Sequence, residues 1–470
     1  MGRTSDHLPA PPELPNFRIE GDAPKAAKAI EPGSRAPIGA VASGPSGASA
    51  LDQDRHAGTG LVRHAVALSE QLIDADAAKV VRRLERAGFQ AYLVGGCVRD
   101  LLLSGKPKDF DVATSARPED VRALFRNCRV IGRRFRLAHV LFGGGKVVEV
   151  ATFRRSPQTE VPEDEAVDED ILIRSDNVFG DAHEDAIRRD FTINALFYDI
   201  DGHQVLDWCG GMDHIARRVI HTIGDPTVRF REDPVRILRA IKFAARLDLG
   251  ITPDVYDAMV ACREELSRAA RPRLFEEILR LMRGGAAHRS MWLLWEMGAM
   301  AILLPELASY LDDDAATGGG GERFFRKLDA LDRRTKEIGR PLDDVVLWAT
   351  LLYEPLEEAS SGATDRIQAT FEFLEPIIER IAMPRRISDA IRRIMAMLPR
   401  LSHGKAGRLL KTDLIGPAID VLEFETMARG GRLDVVERLR EELAAAGPPP
   451  PAALGARSGT WRRAGGPRRR

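Results

Sequence analysis

Residues 91–114 read AYLVGGCVRDLLLSGKPKDFDVAT, and the fold follows from how this stretch is parsed. AYLV is a short apolar run, which predicts a buried strand. Gly95 and Gly96 end it in a turn, CVRDLLLS predicts a short helix, and KDFDVAT predicts a second strand. Asp109 and Asp111 are two apart, so on a strand they share one face. Upstream, Val80, Val81, Leu84 and Ala87 make one apolar helix stripe that Gly88 stops, and order is expected to begin near Ser69. Downstream, Pro118 opens a helix over PEDVRALFRN. HVLFGGGKVVEVATF reads as two strands around a glycine loop, and NALFYDIDGHQVLDW as a second hairpin with an Asp-Gly turn.

Residues 64–207 are therefore expected to form a small mixed sheet with helices. Beyond about 225 the pattern is helical nearly to 445 and strand signals vanish, as in Ile237, Ile241, Ala244 and in Leu274, Ile278, Leu281. LDDDAATGGGG, residues 311–321, predicts a loop. The expected class is α+β, with a small mixed-sheet head over 64–207, a helical neck over 208–300 and a helical body and tail over 301–446. Residues 1–60 and 447–470, rich in Ala, Pro, Gly, Ser or Arg, are expected to be disordered.

The chain has 470 residues, with 69 Lys+Arg against 70 Asp+Glu and a net charge of −1. No apolar run is long enough to span a bilayer, and MGRTSDHLPAPPELP has no signal-peptide core. The four cysteines (Cys97, Cys128, Cys209 and Cys262) form no C-x-x-C pair, which fits a reducing compartment. The Walker P-loop and H-E-x-x-H patterns are absent. Charge is unevenly spread: 160–170 is acidic, 121–148 has bases and no acid, and 376–411 is strongly basic. Such local basic surface is what binds phosphates.

Five groups of residues carry candidate chemistry. Asp109 and Asp111 offer paired oxygens of the kind Mg²⁺ takes when it also binds substrate phosphates, although surface turns produce D-x-D too. Gly95 and Gly96 let backbone N–H groups approach a triphosphate, and Arg99 adds a charge-assisted contact; a plain strand–helix turn has the same letters. Glu149 is either a further metal carboxylate or a polar residue on a half-exposed strand. In RRDFTINAL, Arg189 suits a phosphate, while Asp190 and Asn194, four apart, would align on a helix. In REDPVRILRAIKFAARL, Asp233 can accept from a base amino group and Arg236 can donate to a ring nitrogen, with Arg239 and Lys242 following at steps of three. Pro234 also makes Asp233 a plausible N-cap. Trp292 and Trp295 look like helix core.

LVGGCVRDLLLSGKPKDFDVAT, RRDFTINAL and REDPVRILRAIKFAARL, in that order, resemble the motifs of the class II nucleotidyltransferases, the family of CCA-adding tRNA nucleotidyltransferases and bacterial poly(A) polymerases. The resemblance spans about residues 75–300. NCRVIGRRFRLAHVLFG and IRSDNVFGDAHEDAIRRDF look like the poly(A) polymerase side of the family. Lys242 stands where many members have Arg. The resemblance implies catalytic Asp109, Asp111 and Asp190, with Mg²⁺ (or Mn²⁺) on the first two. It implies nucleotide contacts at Gly96, Arg99, Arg189, Asp233, Arg236, Arg239 and Lys242, to which Gly95 and Asn194 are added from the residue reading. The implied activity is template-independent transfer of AMP from ATP to RNA 3′ ends. The resemblance further implies mRNA polyadenylation that promotes RNA decay, in the cytoplasm. The implied partners are ATP and RNA ends, an RNA-decay helicase or RNA chaperone is the candidate protein partner, and a monomer is expected. A CCA-adding enzyme and an inactive RNA-binding scaffold are the alternatives.

Overall fold

The strand read at AYLV lies at the centre of a sheet, between the next strand of the chain and one that arrives from much later in the sequence. The computed structural model describes residues 60–132, 136–155, 178–317 and 319–447. The predicted disorder over 1–59 and 448–470, Arg133, Arg134 and the acidic run 160–170 lie outside the described residues. In chain order the strands are β1 (Val62–Ala65), β2 (Ala91–Val94), β3 (Asp111–Thr114), β4 (Cys128–Ile131), β5 (Leu137–Leu141) and β6 (Val147–Thr152). There follow β7 (Arg154–Arg155), β8 (Val178–Phe179), β9 (Phe197–Asp199) and β10 (Gln204–Asp207), and finally β11 (Val219–Ile220) and β12 (Gly250–Ile251). Eight of these form one sheet in the order β1-β10-β9-β2-β3-β6-β5-β4. Only β3 and β6 pair in parallel; every other neighbouring pair in that sheet is antiparallel.

Alternation decides which face is buried. In β6, Val148, Val150 and Thr152 point inward while Val147 and Glu149 are exposed. The inward face packs on the helix Ala75–Arg86 through Val80, Val81 and Leu84. Asp74 caps that helix, accepting from the amides of Asp76 and Ala77 at 3.0 Å. A second, smaller apolar cluster, including Val94, Ala113, Phe153, Phe197 and Ala186, lies under the helix Ala182–Ile187.

From Gly211 onward helices dominate, and the main apolar cluster continues through them from the sheet as far as Leu439. The helix Val235–Leu247 buries Val235, Ile237, Leu238, Ile241 and Ala244, as its spacing predicts. Phe275 stacks on the fully buried Trp348 at 5.3 Å. No helix among the described residues is long and apolar enough to cross a membrane.

Several local expectations need correction. Order begins before Ser69: β1 pairs with β10, and its four residues carry no apolar alternation to announce it. Strand signal does not vanish after 225, since β12 pairs in parallel with β11. The predicted 311–321 loop is mostly helix: Pro305–Thr317 runs through the acidic residues, and Gly320–Ile338 begins inside the glycine run. Nor is Trp292 core: it is 44 % exposed, while Leu294 beside it is buried.

Candidate active site

β3 starts at Asp111, so Asp109 lies on the connection before it and the one-face argument does not apply to the pair. What brings carboxylates together is the sheet. Asp111 is in register with Glu149 on β6, and Glu149 with His139 on β5. Parallel neighbours point the same way, so Asp111 and Glu149 share a face. Burial, then the charges of Glu149 and Asp109, push the Asp111 carboxyl up to about 6 against the opposing pull of Arg189. Asp111 thus feels the charge of each of the other two carboxylates. Glu149 also stands 3.4 Å from His139 Nε2. Among the described residues no group of three or more His, Cys, Asp or Glu forms a ready-made metal cluster.

The next residue after the Asp111 partner Val94 is Gly95, with φ of +71°. That conformation suits glycine, and a Cβ there would lie 3.1 Å from Arg189 Nη1. Gly95, Gly96 and Asp111 line one cavity of about 930 Å³, closed on its other sides by the helices Val235–Leu247 and Arg271–Met282 and by Thr335 to Pro341. Thirteen Lys and Arg line it against three Asp. Asp109 and Glu149 are not among its lining residues.

Within the cavity an ordered network sets the positions of the charges. The largely buried Asp190 accepts from Arg239 Nε at 2.7 Å, from Asn194 Nδ2 at 3.1 Å and from the Phe191 amide at 2.9 Å. Burial opposes its charge, yet Arg239 and these donors hold its carboxyl below the usual range. Both its oxygens are thus committed, which makes it an anchor for Arg239 and Asn194. Asn194 meets Asp190 as predicted, but through a single 3-10 turn, Thr192–Asn194, instead of an α-helix. Its Oδ1 receives Arg99 Nη1 at 2.6 Å, and Arg99 also grips Asp100. Arg189 is fixed by the buried Asp185 at 2.8 Å and donates to the Asn194 carbonyl at 3.1 Å.

Asp233 is not a side-chain N-cap; it follows the helix Pro226–Glu232 and its carboxylate is held by both Arg273 nitrogens at 2.8 and 2.7 Å. Arg236 donates to Glu232 and to the Arg229 carbonyl, each at 2.8 Å. Lys242 lies 4.7 Å above the Phe243 ring and 3.8 Å from Glu277; burial and the neighbouring Arg239 bring its ammonium down to about 8.

All the expected nucleotide residues thus line this cavity, as do Asp111 and Asp190. Sequence reading missed Asp185, Arg273, Arg280, Arg283, Lys336 and Arg340. Arg273, Arg280 and Arg283 had a local signal, since they recur at helical spacing opposite the apolar Leu274, Ile278 and Leu281. Lys336 and Arg340 come from another helix end and had none. The basic run 376–411 does not line the cavity: Arg380 pairs with Glu306 and Arg393 with Asp413.

Comparison with known proteins places this arrangement. A family model described as "Poly A polymerase head domain" matches residues 91–221, and one described as "Probable RNA and SrmB- binding site of polymerase A" matches 248–311. The chain is 37% identical to poly(A) polymerase I of Salmonella typhimurium over 82% of its length and 85% of that protein's. It is 38% identical to the CCA-adding enzyme of Geobacillus stearothermophilus over 50% of its length and 55% of that enzyme's. The crystal structure of the Bacillus stearothermophilus CCA-adding enzyme in complex with CTP superposes with a TM-score of 0.58 at 28% identity, covering 78% of this chain and 82% of that one.

Proposed function

The chain belongs to the family of poly(A) polymerases and CCA-adding nucleotidyltransferases and is a nucleotidyltransferase, and on that premise we propose that it adds nucleotides to RNA 3′ ends without a template. The observation that carries the reading is the meeting of Asp111 and the Gly95–Gly96 turn in one strongly basic cavity. Its cations suit a triphosphate and an RNA backbone together.

Asp109 and Asp111, with Glu149 beside them, would hold Mg²⁺. The donor set fits: it is all oxygen, and the burial and neighbouring carboxylates that lift Asp111 create a charge penalty that a divalent cation relieves. When bound, the ion would lower the pKa of the RNA 3′-hydroxyl and offset charge on the departing pyrophosphate. Arg189, braced by Asp185, orients the phosphates beside the Gly95 turn. Asp190 is a positioning residue that aims Arg239 and Asn194. Asp233 and Arg236 read the base, and because Arg273 holds both Asp233 oxygens, base choice depends on Arg273 as well. The division into a head at 64–207, a neck at 208–300 and an RNA-binding body at 301–446 belongs to the same proposal. So do a monomeric state, a cytoplasmic setting and a helicase or RNA chaperone partner.

Two nucleotide preferences fit. ATP-only tailing is supported by relatives that match over most of their length. A CCA-adding activity is supported by the solved neighbour holding CTP and by the identity across the shared half of the chain, and taken together the comparisons favour it. Purified protein incubated with each NTP and either a generic RNA oligomer or a tRNA ending before CCA separates them. Long tails from ATP alone establish the first; CTP use that stops after completing CCA establishes the second. Failure to extend either RNA would overturn the proposed function.

A further inference from the structure

A smaller cavity of about 490 Å³ opens beside the main one, and the two share Arg246, Gly284, Gly285 and Lys336. Its volume lies in the range of about 300–1,000 Å³ that suits small ligands. Trp292 lines it from the helix Ala287–Glu296 and is 44 % exposed, unusual for a side chain with so much apolar surface to bury. The ring is nevertheless held firmly. Trp295 meets it edge-on at 5.5 Å, Phe325 packs at 5.2 Å, and Trp295 is itself anchored by Nε1 donating to Asp312 at 2.9 Å. The indole is therefore a rigid aromatic surface presented to a cavity.

The charges around it are sorted. Asp332 accepts from the amides of Ala287 and His288 at 2.7 and 3.0 Å. Asp329 faces His288 at 2.6 Å, and Asp248 pairs with Arg289. The acids of this cavity are thus engaged locally. At the junction with the main cavity stand Lys336, which has no ion pair within 4.0 Å among the described residues, and Arg246, whose contact with Asp100 is 3.5 Å long. A neutral planar group over Trp292 with a phosphate toward Lys336 and Arg246 satisfies both halves, and that combination is a nucleotide.

We propose that Trp292 and the cavity beside it form a stacking subsite for one base of the RNA strand near its 3′ end, its phosphate lying between Lys336 and Arg246. The assignment of the strand as the one being extended rests on the proposed function above. The test uses the full chain, with Trp292→Ala, Trp292→Phe and a short oligoadenylate. Trp292→Ala is expected to raise the KM for RNA about tenfold, leaving kcat and the KM for NTP unchanged, whereas Trp292→Phe stays near wild type. Tryptophan fluorescence, measured without NTP, is expected to be quenched by the oligomer in wild type and not in Trp292→Ala. Moving a single abasic residue along the oligomer should abolish quenching at one register. Equal quenching and equal RNA KM in wild type and Trp292→Ala would overturn the subsite, as would loss of thermal stability and of every kinetic constant together in both variants. Quenching that depends on Trp292 in a protein that extends no RNA with any NTP would support the subsite and sink the proposed function alone.

Discussion

In the helical body, Glu354 and Glu425 close on the fully buried Lys327, which pairs with Glu354 and lies 3.8 Å from Glu425. At the sheet, Asp111 and Glu149 stand side by side in register, with Arg189 pulling from the flank and no ion pair to either from a Lys or Arg among the described residues. Both regions gather acids, but the body supplies its own counter-charge and seals it away from water. The sheet leaves its repulsion standing where a cavity can deliver a ligand. Built-in neutralisation fits a structural role, and a charge held in an unfavourable state fits a functional one.

The comparison is broken most directly at Asp111. Asp111→Asn is expected to lower kcat for nucleotide addition about a thousandfold or more without loss of folding, as read by single-turnover extension and circular dichroism. A folded, fully active variant would remove the functional half of the contrast and revive the inactive-scaffold or remote-site alternatives. The body is broken at Lys327. Lys327→Met leaves Glu354 without its cation and Glu425 with Arg429 alone, and should cost about 3–5 kcal/mol in denaturant unfolding, with the neutral triple variant that also carries Glu354→Gln and Glu425→Gln regaining much of it. Burial and Glu425 raise Glu354, against Lys327, so the single-variant loss should shrink in acid as Glu354 takes a proton.

Acid sharpens the other side. A raised carboxyl pKa means the folded protein holds that proton more tightly than the unfolded chain. The contribution of Asp111 to stability is therefore full below its unfolded value of 3.8 and is lost as pH rises through about 6. The same titration should weaken Mn²⁺ binding about tenfold per unit below pH 6, measured by calorimetry, and Asp111→Asn should flatten that profile. Pre-charged affinity that ignores pH would place the metal elsewhere. The smallest effect is expected at Lys242, whose charge fades above about pH 8. The KM for NTP should rise about threefold between pH 7 and 9, and Lys242→Arg should hold it level.

What could be read early follows the range of the forces involved. The β2 turn, the helix it feeds and the two hairpins are local, and their signals lie within a few residues of the elements they form. β1 has no local signal, because its order comes from pairing with β10, more than a hundred residues away in sequence. The acids of 311–317 carry a loop signal, yet helical continuation from Pro305 runs through them. Helical spacing marks Trp292 as core but cannot say which neighbour will cover that face; Phe325 covers only part of it. At the site, residue types pointed to the right carboxylates and cations, but not to their partners. Asp185 bracing Arg189, Asp190 committed to Arg239, and Arg273 closing on Asp233 all depend on chain segments meeting in space.

The sequence by itself determined the α+β order of elements, the glycine turn, and which short motifs carry acids and bases, since each is written in local pattern and residue chemistry. Only the tertiary structure decided that Glu149 would stand beside Asp111, that Asp109 would precede the strand instead of joining it, and that Arg273, Lys336 and Arg340 would close the cavity. Coulomb forces act through space and take no account of distance along the chain, so the charge environment of the site could be known only once the chain had folded.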